Sequence, residues 1–207
     1  MQRTEILVLG AGMAGCSVAF HTTALAKVTV IEMGSQIANE GAQQNAGLIR
    51  RLDAEPCDRA LAQRTHQFLS GPAVGLGLGH ISQQTGAVFG LTRDPLWLHD
   101  ARAHLIATGA RVEVTSPAHF PALRDSPIKH AWHLPDEWVT DSAALARGLL
   151  THSIDQGARL ETGQMATHLI IQSGRCVGAM TPAGPISADI TVLACGAWSG
   201  LLAAKAG

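Results

Sequence analysis

Three glycines and one glutamate carry the clearest chemistry in this 207-residue chain. Gly10-Ala11-Gly12-Met13-Ala14-Gly15 is a G-x-G-x-x-G loop, and Glu32 follows Gly10 by 22 positions. That set suits the pyrophosphate and ribose of a dinucleotide. Gly10 permits a tight turn. Gly12 has no Cβ, so a pyrophosphate can approach the backbone. Gly15 lets a helix pack closely on strands. A carboxylate at Glu32 accepts hydrogen bonds from ribose hydroxyls and repels a 2′-phosphate, which disfavours NADP. The loop alone does not choose between FAD and NAD, and a tight strand-to-helix turn without a ligand is the plainer alternative.

The surrounding elements place these groups. Residues 6–9 are a short apolar run that reads as a buried strand, and residues 16–26 have the length and composition of a helix. The helix begins near Gly12, so its free N–H groups and positive dipole end face the phosphates. Residues 28–31 form a second strand, closed by Glu32 and followed by Met33. A polar, turn-rich stretch leads to GAQQNAGLIR at 41–50, which contains Gln44, Asn45, Ala46, Gly47 and Leu48. Such a loop can lay backbone N–H groups against a flat polar ring; an ordinary surface connection is the alternative.

Residues 58–69 have helical spacing. Residues 70–90 hold too many glycines for a stable helix, with a strand expected near 87–91. Residues 95–108 read as a helix capped by Gly109. Prolines at 117, 121, 127 and 135 break the chain into short pieces, with a strand at 131–134 leading to an exposed turn at Asp136-Glu137. Thr140 or Asp141 then caps a helix running to about Gln156. A turn and a strand come next at 157–161, then strands at 167–171 and 176–180 around the turn Ser173-Gly174-Arg175. The β-branched run 190–194 reads as a central strand. It ends in a second small-residue loop, Cys195-Gly196-Ala197-Trp198-Ser199-Gly200, which opens a helix.

Apolar residues make up 46% and charged residues 15%, with a net charge of −1. These values suit a buried core and give nucleic acid no attraction. The ten His are scattered, and His130 and His133, the only close pair, have no third ligand beside them, so no metal is expected. Cysteines at 16, 57, 176 and 195 form no C-x-x-C, which points to a reduced, cytoplasmic chain, with Cys16 a small packing residue. No apolar run approaches the roughly 20 residues of a membrane span. Tyrosine, a common active-site acid, is absent.

These motifs in this order resemble the FAD-dependent D-amino-acid oxidase family, which includes glycine oxidase, sarcosine oxidase and the D-amino-acid dehydrogenases. GAGMAG with Glu32, the loop at 41–50, and the run from Thr140 through GARLETG to ACGAWS carry the resemblance, which is weak between about 70 and 130. It implies an α/β fold: a Rossmann-like FAD-binding domain with a parallel central sheet from residues 1–50 and 135–207, and part of an inserted α+β substrate domain from 51–134. It favours FAD over NAD. It implies that Gly10, Gly12 and Gly15 hold the pyrophosphate and Glu32 the adenosine ribose. Gln44, Asn45, Ala46 and Gly47 would lie along the isoalloxazine ring. Met165-Ala166 corresponds to the strand whose backbone meets the adenine, and Ala194, Cys195 and Gly196 to a motif passing close to the cofactor. Trp198 would pack near the flavin, or simply in the core.

The family reaction is oxidation of the C–N bond of an amino acid or amine next to a carboxylate, with hydride passing to flavin N5 and hydrolysis of the imine. This needs little acid–base machinery, and no catalytic residue stands out. Arg50 and Arg51 could bind a substrate carboxylate, although a solvated or phosphate-facing role suits them better; His133 and Asp136 are further candidates. Family members are longer, so the resemblance implies an N-terminal part completed by another polypeptide, or else a non-catalytic fragment or accessory subunit. A dehydrogenase of this kind would be peripheral to the inner membrane.

Overall fold

The structure, a computed structural model, describes residues 2–93, 95–204 and 206. In chain order its elements are β1 (Gln2–Leu9), α1 (Met13–Thr22), β2 (Val28–Ile31), β3 (Leu48–Ile49), α2 (Pro56–Ser70), α3 (Pro72–Gly75), β4 (Ser82–Gln84), β5 (Ala87–Leu91), α4 (Trp97–Ala107), β6 (Glu113–Thr115), β7 (His130–Leu134), β8 (Trp138–Thr140), α5 (Ser142–Asp155), β9 (Arg159–Glu161), β10 (His168–Gln172), β11 (Arg175–Thr181), β12 (Gly184–Leu193) and α6 (Ser199–Ala204). They fall into two compact units, Met1–Asn45 with Asp141–Gly207, and Ala46–Thr140. The sequence suggested divisions at 50/51 and 134/135; the units divide at Asn45/Ala46 and Thr140/Asp141.

The first unit is built on a six-stranded sheet of order β10-β11-β12-β1-β2-β9. Strands β12, β1, β2 and β9 run parallel, while β11 pairs antiparallel with β10 and β12. The apolar run in β1 is continuous because both its faces are covered, as parallel strands require. Ile6 and Val8 pack with Val28 and Val30 against Cys16, Ala19, Ala146 and Leu150. Leu7, Leu9 and Ile31 cluster instead with Ala179, Ile186 and Ala188. Each fully buried Leu or Val contributes about 1.5–3 kcal/mol as an upper estimate.

Helix α1 lies three to four residues earlier than the sequence suggested. Gly12 is its N-cap, and the hydroxyls of Thr22 and Thr23 bond back to the carbonyls of Val18 and Ala19 at 2.7 Å. Paired β-branched residues with such back-bonds favour an end there. Between β10 and β11, Ser173 and Gly174 both have positive φ, 50° and 76°. That is the type I′ conformation favoured by a two-residue hairpin. The strand expected at 190–194 starts earlier, as part of the ten-residue β12, Gly184–Leu193.

Asp141 caps α5, its Oδ1 accepting the Ala144 N–H at 2.8 Å. Asp141→Ala is expected to cost about 1 kcal/mol, read as a lower denaturant midpoint with an unchanged slope.

The second unit holds two three-stranded sheets, β3-β8-β4 and β5-β7-β6. Its core gathers Leu98, Ala101, Leu105, Trp132 and Leu134. Gly71 and Gly77 bracket the four-residue α3, the only α-helix the glycine-rich stretch allows among the described residues.

The turn at Asp136-Glu137 is not exposed as expected. Glu137 is 0% exposed and accepts Arg51 Nε at 2.8 Å and the Arg51 N–H at 3.2 Å. Arg51, 3% exposed, is therefore neither solvated nor phosphate-facing. Arg50 is exposed and paired with Asp53. Asp136 accepts the Arg111 N–H and Nε, both at 2.9 Å. Hydrogen bonds from the Arg111 side chain, above all, hold its carboxyl below the usual carboxylate range. A lowered folded-state value stabilises above the ordinary carboxylate pKa, and the benefit is lost as pH falls through the lowered one. Asp136→Asn is thus expected to lower the melting temperature at pH 7, with the difference from wild type closing at strongly acid pH. His133 Nδ1 lies 2.9 Å from Glu113 Oε2.

Candidate functional site

At the carboxyl ends of β1, β2 and β12 the first unit carries a cavity of about 950 Å³. A second cavity of about 350 Å³ adjoins it, sharing Gly12, Glu32, Met33, Glu40, Gly41 and Ala42. Open parallel sheets bind ligands at this end of their strands.

The glycine loop forms one wall. Gly10 has φ +100°, and a Cβ there would lie 2.5 Å from the Ala194 carbonyl oxygen. This glycine lets the turn press against the end of β12. A Cβ on Gly15 would lie 1.9 Å from the Gly10 carbonyl oxygen, so Gly15 sits beneath the turn and acts through packing. A Cβ on Gly12 would meet nothing within 4 Å; its open side faces the cavity. No side chain caps α1, and its first turn carries no acid. The free N–H groups and positive dipole end are left for an anion.

Glu32 ties this wall to its neighbours. Its Oε2 accepts the Ala11 N–H and its Oε1 the Gly34 N–H, both at 2.8 Å. Each oxygen keeps lone-pair capacity for a further donor. The Ala38 N–H donates to the Ala11 carbonyl at 3.0 Å, with Ala38 at φ 55°.

Most of the residues picked from the sequence line the larger cavity: Gly10, Gly12, Met13, Ala14, Glu32, Met33, Gln44, Ala166, Ala194, Cys195, Gly196 and Trp198. Trp198 is 42% exposed, so it is not a core residue. Asn45 is used differently: its amide donates to the Gly41 and Ala42 carbonyls at 2.9 and 2.8 Å and accepts from the Ser142 hydroxyl. Ala46, Gly47 and Leu48 belong to the second unit, where a Cβ on Gly47 would lie 2.0 Å from the Thr140 carbonyl oxygen. Met165-Ala166 is not a strand. It lies in the loop between β9 and β10, whose start is held by bonds from Gly163 N–H to Gly34 O and Gln164 N–H to Glu32 O. Positive φ at Gly163 (67°) breaks the extended path. Sequence reasoning missed Glu40, Gln164, Thr167, Ser199 and Leu201 as lining residues. Only the turn glycine at 163 hinted at the loop that holds two of them.

Two cysteines lie close to Glu32. Burial above all, with the Glu32 charge second, pushes the Cys16 thiol up to about 12. The same causes raise Cys195. Cys57 is exposed. Iodoacetamide at pH 8 is expected to label Cys57 and to leave Cys16 unmodified until denaturant is added; peptide mass mapping reads the difference.

The family described as DAO, FAD dependent oxidoreductase, matches residues 5–207. The chain belongs to this family. The cofactor of the DAO family is FAD. The chain is 27% identical over 214 residues to the 4-methylaminobutanoate oxidase (formaldehyde-forming) of Paenarthrobacter nicotinovorans, covering 97% of itself and 25% of that protein. It is 22% identical over 207 residues to the mitochondrial pyruvate dehydrogenase phosphatase regulatory subunit of Mus musculus, covering 95% of itself and 23% of that protein. Its fold matches the crystal structure of L-proline dehydrogenase from P. horikoshii with a TM-score of 0.86 at 22% identity, covering 100% of the chain and 56% of the other. The DAO chain thus spans about a quarter of these curated relatives and just over half of the solved structure.

The residues present fit FAD. The cavity is at the upper end of the roughly 300–1,000 Å³ usual for cofactor sites. It joins an uncapped helix start, an open glycine, a carboxylate with spare lone pairs and apolar walls at Met33, Leu193 and Trp198. No helix among the described residues is long and apolar enough to cross a membrane.

Proposed function

We propose that this chain is the nucleotide-binding part of an FAD-dependent enzyme that oxidises the C–N bond of an amino acid or amine. The observation that carries the reading is the cavity bounded by the open face of Gly12, the Glu32 carboxylate and the run Ala194–Trp198. In this reading Gly10 and Gly12 shape the turn that receives the pyrophosphate, and the N–H groups of Met13 and Ala14 face its charge. Glu32 accepts from the adenosine ribose while keeping its bonds to Ala11 and Gly34. Gln44, Ala194, Cys195, Gly196 and Trp198 line the flavin side and keep water from it. The second unit, which begins at Ala46, Gly47 and Leu48, is read as part of a substrate-binding domain. Bound FAD supplies the two-electron oxidant. The substrate class is the one named for the oxidase of P. nicotinovorans and the dehydrogenase of P. horikoshii.

Residues outside this chain complete the substrate site in this reading, in a longer or a second polypeptide. A flavin absorbance spectrum of the purified chain tests the first step. A yellow protein whose flavin bleaches under a panel of D- and L-amino acids and N-methylated amines, without oxygen, is the expected result. A colourless protein that never takes up FAD would overturn the reading.

The likeness to a mouse regulatory subunit favours a second reading, a FAD-binding accessory subunit without activity of its own. It predicts the same colour and no bleaching by any substrate, alone or with the remaining polypeptide.

A further inference from the structure

One residue that lines the cavity carries a buried polar atom without a partner. The Gln164 side-chain oxygen is buried and accepts no hydrogen bond, and of the side chains with such an orphaned buried atom it alone lines the cavity among the described residues. An unmade bond of this kind destabilises the fold unless a ligand completes it. The position is not loose. The Gln164 N–H bonds to the Glu32 carbonyl at 2.8 Å and the preceding Gly163 N–H to the Gly34 carbonyl at 2.9 Å. These two bonds fix Gln164 beside the residue whose carboxylate faces the ribose. Exposed thioethers at Met33 and Met165 line the same cavity and offer soft apolar surface to a flat ring.

We propose that the Gln164 amide reads the edge of the cofactor's adenine. This rests on the cavity being the FAD site. A base joined to a ribose at Glu32 comes next to residue 164, because the backbone of 164 is bonded to that of 32. A glutamine amide offers one acceptor and one donor side by side. That pair matches adenine's 6-amino group and an adjacent ring nitrogen. Rotation about the last side-chain bond exchanges the amide's oxygen and nitrogen, so the orphaned oxygen reaches the amino group with no backbone movement. The amide therefore serves the ADP end alone and leaves the flavin ring untouched.

The test compares ligands on the full chain freed of flavin. Calorimetry is expected to show ADP binding about threefold to tenfold more tightly than purine riboside diphosphate, which lacks only the 6-amino group. Gln164→Leu keeps the shape and removes both hydrogen-bonding groups. It is expected to weaken ADP and FAD by a similar factor, to abolish the preference between the two diphosphates, and to leave riboflavin 5′-phosphate binding unchanged. Equal affinity of the wild type for the two diphosphates would overturn the proposal whether or not the variant folds. So would an equal loss of ADP and riboflavin 5′-phosphate in a folded variant. A wild-type chain that binds neither ADP nor FAD would overturn the cavity as the cofactor site, and this inference with it. FAD binding that ignores residue 164 would remove the inference alone.

Discussion

Gly15→Ala is expected to destabilise the first unit and to weaken flavin binding. The added methyl would lie 1.9 Å from the Gly10 carbonyl oxygen and 3.3 Å from Val8 Cγ1. The first contact is with backbone, which no side-chain rotation relieves. Either α1 moves off the sheet or the turn opens, and both disrupt the cluster of Ile6, Val8, Cys16 and Ala19. A cost of about 3 kcal/mol or more follows from overpacking of this kind. In a chain of this length that is roughly a 10 °C fall in melting temperature. Gly12→Ala is the control. Its backbone is extended, φ −81° and ψ −170°, and its methyl would point into open cavity. It is expected to melt like the wild type while binding FAD more weakly. Thermal melts read beside the flavin spectrum check both, and equal melting of the Gly15 and Gly12 variants would contradict the packing account.

Glu137→Ala is the second large effect. It strips the buried Arg51 guanidinium of its counter-ion in a place where Arg51 Nη2 already has no partner. The carbonyl of Glu137 also receives the Thr85 and Gly86 N–H groups, so the strain is passed to the turn before β5. Removing one member of a buried pair costs about 3–5 kcal/mol, most of it the uncompensated charge. Replacing both members, as Arg51→Met with Glu137→Leu, is expected to restore most of that loss. Denaturant midpoints of the two single variants and the double variant decide. If the double variant is no more stable than Glu137→Ala, the account by buried charge fails.

The two units were unequally legible. In the first, nearly every element and the glycine loop itself could be read from residues close in sequence. A strand, three glycines and a capping aspartate act over a few positions, and their spacing is their meaning. The family match and the fold bear out the FAD-dependent α/β assignment. Pairing over long separation was not legible. Nothing near Glu137 announces that its partner is 86 positions away, so an acidic pair after a proline read as an exposed turn. Arg51 was misread for the same reason. The loop at 162–167 was obscure for another: its shape comes from bonds to Glu32 and Gly34, a separate stretch of chain. The early end of α1 lay in the sequence as two threonines, but hydroxyl back-bonding becomes evident only once the helix exists.

The two bonds from the Glu32 carboxylate bear on the rate of cofactor capture. One carboxylate holds the glycine turn on one side and the strand exit on the other, using only groups that belong to the chain. In the proposed reading the receiving surface is therefore set before a nucleotide arrives, and little ordering free energy is charged against binding. Encounter should then look like docking to a rigid wall, with an observed rate that rises linearly with FAD concentration and no slow saturating phase. Glu32→Gln can keep only one of the two bonds, because its amide nitrogen meets an N–H where an oxygen stood. That single atom would turn a rigid receptor into one that must be assembled around its ligand.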